Sequence, residues 1–115
     1  MLGDNLDSAG WPTAGEIDVM ENVGKVPGSV YGTLHGPGAV YENQQVTAEY
    51  TLPEGQAFAD DFHTFAVEWS PTAITWYVDG QPYEKRTKEE LASALTMNVR
   101  LVGDTPCSVP GFDCC

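Results

Sequence analysis

The frequency of glycine and proline is what most constrains the fold of this chain. Twelve glycines and eight prolines divide its 115 residues into short pieces. Most of these pieces alternate apolar with polar residues or carry β-branched and aromatic side chains. Such a pattern is typical of antiparallel strands separated by turns. The sequence therefore predicts an all-β fold in a single domain.

Three strands are predicted in the first half of the chain, over residues 15–22, 29–35 and, more weakly, 46–52. In the second of these, Val30 and Leu34 share one face of the strand, because successive side chains point to opposite sides. His35 shares the other face with Thr33 and Tyr31. We therefore expect His35 to point away from the apolar core.

The clearest strand pair is "FHTFAVEWS" followed by "AITWYVDG", with Pro71 and Thr72 between them. The second strand ends in Asp79-Gly80, which is a strong signal for a two-residue hairpin turn. Large apolar residues recur at every second position, which predicts a core-facing side for each strand. These predicted core residues are Phe65, Val67 and Trp69, matched by Ile74, Trp76 and Val78. Residues 85–102 are compatible with a helix.

The charge of the chain restricts its partners. The formal net charge is −12, which argues against nucleic acid and anionic membranes and favours a neutral ligand. No apolar run approaches the roughly 18 residues of a membrane span, and the first residues lack the pattern of a signal peptide. The negative charge lies within residues 1–84, whereas charges balance in residues 85–115. All three cysteines, Cys107, Cys114 and Cys115, lie in this last segment, and their spacing matches neither a disulfide framework nor a familiar metal site.

The stretch "GEIDVMENVG", residues 15–24, concentrates acidic residues in a predicted strand. Glu16 and Asp18 share a face of a regular strand, whereas Glu21 comes one residue late. A β-bulge near Met20 would bring all three carboxylates to one side. Repulsion among them would then raise at least one pKa and place a proton donor beside an anion, as retaining glycoside hydrolysis requires. The alternative is an exposed edge strand with a solvated acidic face.

Two further residues support a carbohydrate site. Trp11 and His35 are of the types that line a sugar-binding cleft, through stacking and hydrogen bonding respectively. Each alone is more often a structural residue. Together with the acidic strand, they favour the catalytic interpretation.

The segments "GWPTAGEIDVMENVG", "GTLHGPG" and "DDFHTFAVEWSPTAITWYVDGQPY" together resemble the central block of glycoside hydrolase family 16, in its laminarinase-like branch of endo-β-1,3-glucanases. The resemblance is collinear from Met1 to about Thr87. It implies an antiparallel β-jelly-roll, a concanavalin-like sandwich, with the acidic strand on the floor of an open cleft. By this resemblance Glu16 is the nucleophile, Asp18 the assisting carboxylate and Glu21 the acid/base.

The same resemblance implies further expectations. Trp11 and His35 correspond to residues that contact the glucan. The implied activity is retaining hydrolysis of β-1,3-glucan or mixed-linkage β-glucan, with transglycosylation as a variant, by a monomer without a cofactor. It is compatible with a structural calcium in the complete domain, and polymeric glucan implies an extracellular parent protein.

The chain also departs from the family pattern. Members have several strands before the segment that resembles "MLGDN", and the sequence after residue 87 matches none of their closing strands. We therefore expect residues 1–87 to be the central part of the catalytic domain, and residues 88–115 to be an unmatched tail from a different reading frame. Two alternatives follow, a truncated inactive fragment and a non-catalytic β-glucan-binding protein on the same fold.

Overall fold

A computed structural model describes residues 1–37 and 45–94. These residues form six strands and two short helices, together with one turn of 3₁₀-helix over Phe58–Asp60. The strands are β1 (Glu16–Asn22), β2 (Ser29–His35), β3 (Gln45–Thr51), β4 (Phe65–Trp69), β5 (Ala73–Val78) and β6 (Gln81–Thr87). The helices are α1 (Leu6–Ala9) and α2 (Lys88–Ala94). The predicted all-β fold is confirmed. Each of the five predicted strands overlaps an observed one, with ends that differ by at most three residues, whereas β6 was not predicted.

The first sheet has the strand order β1-β2-β3, and all its pairs are antiparallel. The segment before α1 lies beside β1, where the Ile17 amide donates to the Met1 carbonyl at 2.8 Å. On β2, Val30 and Leu34 are buried, at 1% and 7% exposure. The predicted separation of an apolar face from the face of His35 is thus observed.

The second sheet has the order β4-β5-β6, also antiparallel. Asp79 and Gly80 connect β5 to β6 with φ values of 51° and 75°. Positive φ at both central residues is the requirement of the hairpin turn that matches strand twist, which explains the Asp-Gly pair. On β4 and β5 the predicted partners lie opposite each other, as Phe65 with Val78 and Val67 with Trp76.

The two sheets pack face to face around one core. Its buried members are Leu34, Val46, Ile74, Trp76 and Leu91, with Ile17, Val67 and Tyr83 packed against them. Gly32 permits a close approach between the sheets. A Cβ there would lie 2.5 Å from both the Trp76 Cδ1 atom and the Tyr83 hydroxyl, so that a side chain would separate the sheets.

Two residues expected in the core are not buried. Trp69 is 47% exposed, because it is the last residue of β4, which pairs only with β5 in the described part of the sheet. Met20 is 42% exposed. Met20 was expected beside Ile17 and Val19 on the packed side of β1, but a period of two from those residues does not reach position 20. It lies where the register of β1 shifts, and this irregularity leaves its side chain facing solvent.

Helix α2 confirms part of the helix-compatible segment, whereas the first three residues of that segment, 85–87, form the end of β6. The side chain of Thr87 accepts from the Glu90 amide at 3.3 Å, and the Glu90 carboxylate accepts from the Thr87 amide at 2.8 Å. This reciprocal pair is a capping box, which satisfies amides that the first turn would otherwise leave unpaired. Leu91 then enters the core at 1% exposure. Residues 95–115, with the three cysteines, lie outside the described residues, and the proposed boundary at residue 87 stays a prediction.

Among the described residues, the helices are too short and too polar for any of them to traverse a lipid bilayer.

Candidate active site

A β-bulge in β1 places the acidic residues. Asp18 lies opposite Thr33 of β2, whereas Glu21 lies opposite Tyr31, so three steps along β1 match two steps along β2. One extra residue is therefore inserted between Asp18 and Glu21. The predicted bulge is confirmed, and it restores Glu21 to the side of the strand occupied by the other carboxylates.

Asp18 lies at the centre of the set and contacts His35. The His35 Nε2 atom is 3.1 Å from an Asp18 carboxylate oxygen, and the two side chains are 13% and 17% exposed. Burial raises the pKa of the Asp18 carboxyl, and the charges of Glu16 and Glu21 raise it further. His35 and the terminal amino group oppose this rise in pKa. The predicted increase in at least one pKa thus falls on Asp18, although burial contributes more than repulsion.

Glu16 is held by Trp11. The indole Nε1–H donates to the Glu16 Oε2 atom at 2.8 Å, and the Trp11 ring lies 5.4 Å from the imidazole of His35, measured between ring centres. Trp11 is nevertheless 55% exposed. The indole therefore orients one carboxylate with its edge while much of its surface stays open to a ligand.

Glu21 is held from the opposite end of the site. The Thr33 hydroxyl donates to the Glu21 Oε2 atom at 2.9 Å. Thr33 and His35 stand two residues apart on β2 and share a face. Because Glu21 and Asp18 reach these two residues, both carboxylates lie over the same face of the first sheet.

The backbone beneath these carboxylates is anchored to the other sheet. The Trp76 indole N–H donates to the Asp18 carbonyl at 2.9 Å, and Trp76 is 1% exposed. A buried indole that is both packed and hydrogen-bonded fixes the strand at the centre of the site. The core of the second sheet therefore supports the polar face of the first.

One subset of the site has the spacing of metal ligands. Donor atoms of Glu16, Asp18 and His35 all lie within 4.8 Å of one another. Each of these groups is already engaged, since Trp11 binds Glu16 and His35 contacts Asp18. The arrangement is therefore accounted for by contacts within the protein, and we assign no metal to it.

The structure brings together all five residues singled out in the sequence, Trp11, Glu16, Asp18, Glu21 and His35. A comparison with known families is consistent with this arrangement. The model of the glycosyl hydrolases family 16 matches residues 5–102.

The chain belongs to this family.

Relatives in family 16 cover the same region. The chain is 46% identical over 88 residues to glucan endo-1,3-beta-glucosidase A1 of Niallia circulans, which covers 76% of the chain. It is 40% identical over 87 residues to a beta-1,3-glucan-binding protein of Penaeus monodon, which covers 69% of the chain. The laminarinase catalytic domain of Thermotoga maritima superposes with a TM-score of 0.72 at 48% identity over 80% of the chain. The predicted jelly-roll class is thereby confirmed.

The chain spans only a part of these relatives. It corresponds to 13% of the Niallia protein, 24% of the Penaeus protein and 37% of the Thermotoga domain. The described sandwich, with its two three-stranded sheets, is thus a portion of the family 16 fold. That portion contains the bulged acidic strand.

Two residues of the site were not recognised as such in the sequence. Trp76 was predicted as a core residue only, and nothing in the local pattern indicates that its N–H reaches the Asp18 carbonyl. Thr33 was placed on the same strand face as His35 but was given no role. Its position two residues before His35 was the signal that could have identified it, since both side chains then face the acidic strand.

Proposed function

We propose that the protein is a retaining glycosidase that hydrolyses β-1,3-glucan or mixed-linkage β-glucan. The observation that carries this proposal is the bulged strand that brings Glu16, Asp18 and Glu21 to one face, each with its own hydrogen-bonding or charged partner. A solvated acidic strand would not require such partners. The endo-1,3-glucanase and laminarinase names of the relatives support the choice of substrate.

In this mechanism Glu16 attacks the anomeric carbon and Glu21 protonates the departing glycosidic oxygen. Trp11 binds the Oε2 atom of Glu16, so that Oε1 is the oxygen left to form the glycosyl-enzyme. Glu21, now a carboxylate, then takes a proton from the water that releases the sugar. The proton and the nucleophile both come from carboxyl groups of the chain, and the reaction needs no cofactor.

Asp18 lies between the two glutamates on β1 and is the assisting carboxylate in this mechanism. It contacts His35 while its backbone carbonyl is held by Trp76. Its carboxyl, whose pKa is raised by burial and by the neighbouring glutamates, lies within 4.8 Å of Glu16, where it can orient the nucleophile and modulate its charge. The exposed Trp11 and the adjacent His35 would contact the sugar ring.

The test is the replacement of each glutamate by the isosteric amide. We expect Glu16→Gln and Glu21→Gln to abolish the release of reducing ends from laminarin while both variants still bind the glucan in affinity electrophoresis. Glu54→Gln, in an exposed loop, is the control for loss of one charge. NMR of early products should show retention of the anomeric configuration. Turnover by Glu16→Gln at the wild-type rate would contradict the proposal.

A second candidate function is glucan binding without hydrolysis. The Penaeus relative is named as a beta-1,3-glucan-binding protein and is 40% identical to this chain, which favours this alternative on the same fold. Binding of laminarin by the wild-type chain without release of reducing ends would decide for it. The presence of all three carboxylates favours hydrolysis.

We further propose that the protein acts outside the cell as a monomer, without nucleic-acid or membrane partners. A polymeric substrate cannot enter a cell intact, and the net charge of −12 disfavours association with polyanions. Detection of the parent protein in culture medium and a monomeric mass in gel filtration are the expected results.

A further inference from the structure

The Thr33 hydroxyl lies between two polar partners in the first sheet. It donates to the Glu21 carboxylate of β1 at 2.9 Å, and it is 3.2 Å from the hydroxyl of Thr47 on β3. Thr33 and Thr47 lie directly opposite each other in the strand register. Thr33 is 1% exposed, whereas Glu21 and Thr47 are exposed residues, so the Thr33 hydroxyl is buried between two side chains that reach solvent.

The direction of these hydrogen bonds follows from the number of protons. A threonine hydroxyl carries one proton and two lone pairs. When Glu21 is a carboxylate, Thr33 gives its proton to Glu21, and Thr47 must donate to Thr33. When Glu21 is protonated, it can donate to Thr33, whose own proton then turns to Thr47. The two hydroxyls thus satisfy Glu21 in either protonation state without any proton leaving the threonines.

We propose that Thr33 is a positioning residue for Glu21, which it holds in the same place as an acid and as a base. This inference rests on the proposed function, in which Glu21 alternates between the two states within each turnover. A lysine or a backbone amide can only donate, and it would favour the carboxylate alone. A hydroxyl supported by a second hydroxyl serves both half-reactions.

A neighbouring pair on the same two strands provides a matched comparison. Ser29 and Thr51 also lie opposite each other, their hydroxyls are 2.9 Å apart, and Ser29 is 2% exposed. In this pair the Thr51 hydroxyl donates to the Glu49 carboxylate of β3, and not to a carboxylate of β1. Loss of a hydroxyl there has the structural consequences of the Thr33 change but does not affect Glu21.

The experiment compares two leaving groups. We expect Thr33→Val to lower kcat/KM for laminarin about tenfold, because a displaced acid protonates the leaving oxygen poorly. A laminaribioside with a 2,4-dinitrophenyl leaving group needs no protonation, since dinitrophenolate departs with the bonding electrons. Its kcat/KM should therefore stay within about twofold of wild type. Thr33→Ser should restore most of the activity on laminarin, and Thr47→Val should show a smaller loss than Thr33→Val.

Several results would overturn the inference. Equal losses on both substrates would make Thr33 a structural residue only, and an unchanged rate on laminarin would remove its role altogether. Ser29→Ala should lower both rates together or neither, so a selective loss on laminarin in that variant would also contradict it. If Thr33→Val melts below the assay temperature, Thr33→Cys takes its place, since it keeps the volume but donates only weakly.

Crystal structures of the wild-type chain and of Thr33→Val separate this inference from the proposed function. We expect one Glu21 rotamer in the wild type and a changed or divided one in the variant. An unchanged Glu21 in Thr33→Val would reject the positioning role whatever the activity. A wild-type chain that releases no reducing ends would reject hydrolysis, while a displaced Glu21 would still show that Thr33 holds it.

Discussion

The two sheets of the sandwich use the same strand geometry for different purposes. In the second sheet, the residues of β5 that face inward, Ile74, Trp76 and Val78, are all at most 1% exposed. In the first sheet, the face of β2 that carries Thr33 and His35 is covered by carboxylates instead. The second sheet therefore supplies most of the apolar packing, and the first sheet carries the polar residues of the candidate site.

The indole of Trp76 contributes both to the core and to the candidate site. Trp76 fills the core with its ring and holds the Asp18 carbonyl with its N–H. Gly32 of β2 lies against the same ring, so that the first sheet approaches the second closely beneath the site. We therefore expect substitutions in the second sheet to change stability first, and substitutions on the polar face of the first sheet to change catalysis first.

The largest effect is expected for Trp76→Ala. The loss of a fully buried ring should lower the free energy of unfolding by about 3 to 5 kcal/mol, measured by urea denaturation. Tyr77→Phe is the control on the opposite face of β5, where the lost hydroxyl contacts, with Glu68 and Thr75, lie at the exposed surface. Its effect should be within about 0.5 kcal/mol. If both changes lower the free energy of unfolding equally, the inward face of β5 does not supply the packing of the core.

Gly32→Ala should have the next largest effect. The added Cβ would lie 2.5 Å from Trp76 and Tyr83, and the overpacking should cost about 1 to 3 kcal/mol in thermal or urea unfolding. Gly24→Ala provides the control, because nothing lies within 4 Å of a Cβ at that position. A Gly32→Ala variant as stable as Gly24→Ala would show that the sheets can separate without cost.

Thr87→Ala tests how firmly α2 joins the sandwich. Removing one half of the capping box should cost about 1 kcal/mol and should increase amide hydrogen exchange in the first turn of α2. Glu89→Gln changes a neighbouring side chain outside the box and serves as the control. Exchange that increases equally in both variants would indicate that the cap does not hold the helix.

The smallest effect concerns pH. Because the folded chain raises the pKa of Asp18, the folded state binds this proton more tightly than the unfolded state does. The resulting stabilisation is complete below about pH 4, the unfolded value, and is lost as the pH rises through the raised pKa. The stability of wild type relative to Asp18→Asn should therefore fall over this range.

Urea denaturation at several pH values measures this difference, and Asp4→Asn controls for the loss of an exposed carboxyl. A wild type that gains stability over Asp18→Asn as the pH rises would contradict the direction of the shift. Asp18 lies on the polar face of the first sheet. Asp18→Asn should therefore cost more free energy in kcat/KM for laminarin than in the free energy of unfolding.

Much of the fold could be predicted because its signals are local. Alternation of apolar residues identified β4 and β5, and Asp79-Gly80 identified the turn after them, since the required positive φ depends on the residues themselves. The bulge was predicted from spacing alone, because Glu21 could join Glu16 and Asp18 only through one inserted residue. The family resemblance placed Trp11 and His35 in the same site.

The failures were of another kind. Trp69 follows the local rule for burial but is exposed, because burial depends on what covers a strand and not on the strand's own pattern. Equally, no periodicity indicates that burial exceeds repulsion as the cause of the raised pKa of Asp18. Both depend on neighbours distant in sequence.

The strands, the hairpin turn and the acidic set on its bulged strand can be predicted from the sequence, since each depends on residues close together along the chain. The partners of that set depend on the packing of the folded chain. Trp76 reaches Asp18 from 58 residues away, and Thr33 reaches Glu21 from the neighbouring strand. Such contacts depend on how the two sheets pack and on how β1, β2 and β3 pair, and hydrogen bonding is strongly directional. The spacing within one strand cannot specify them.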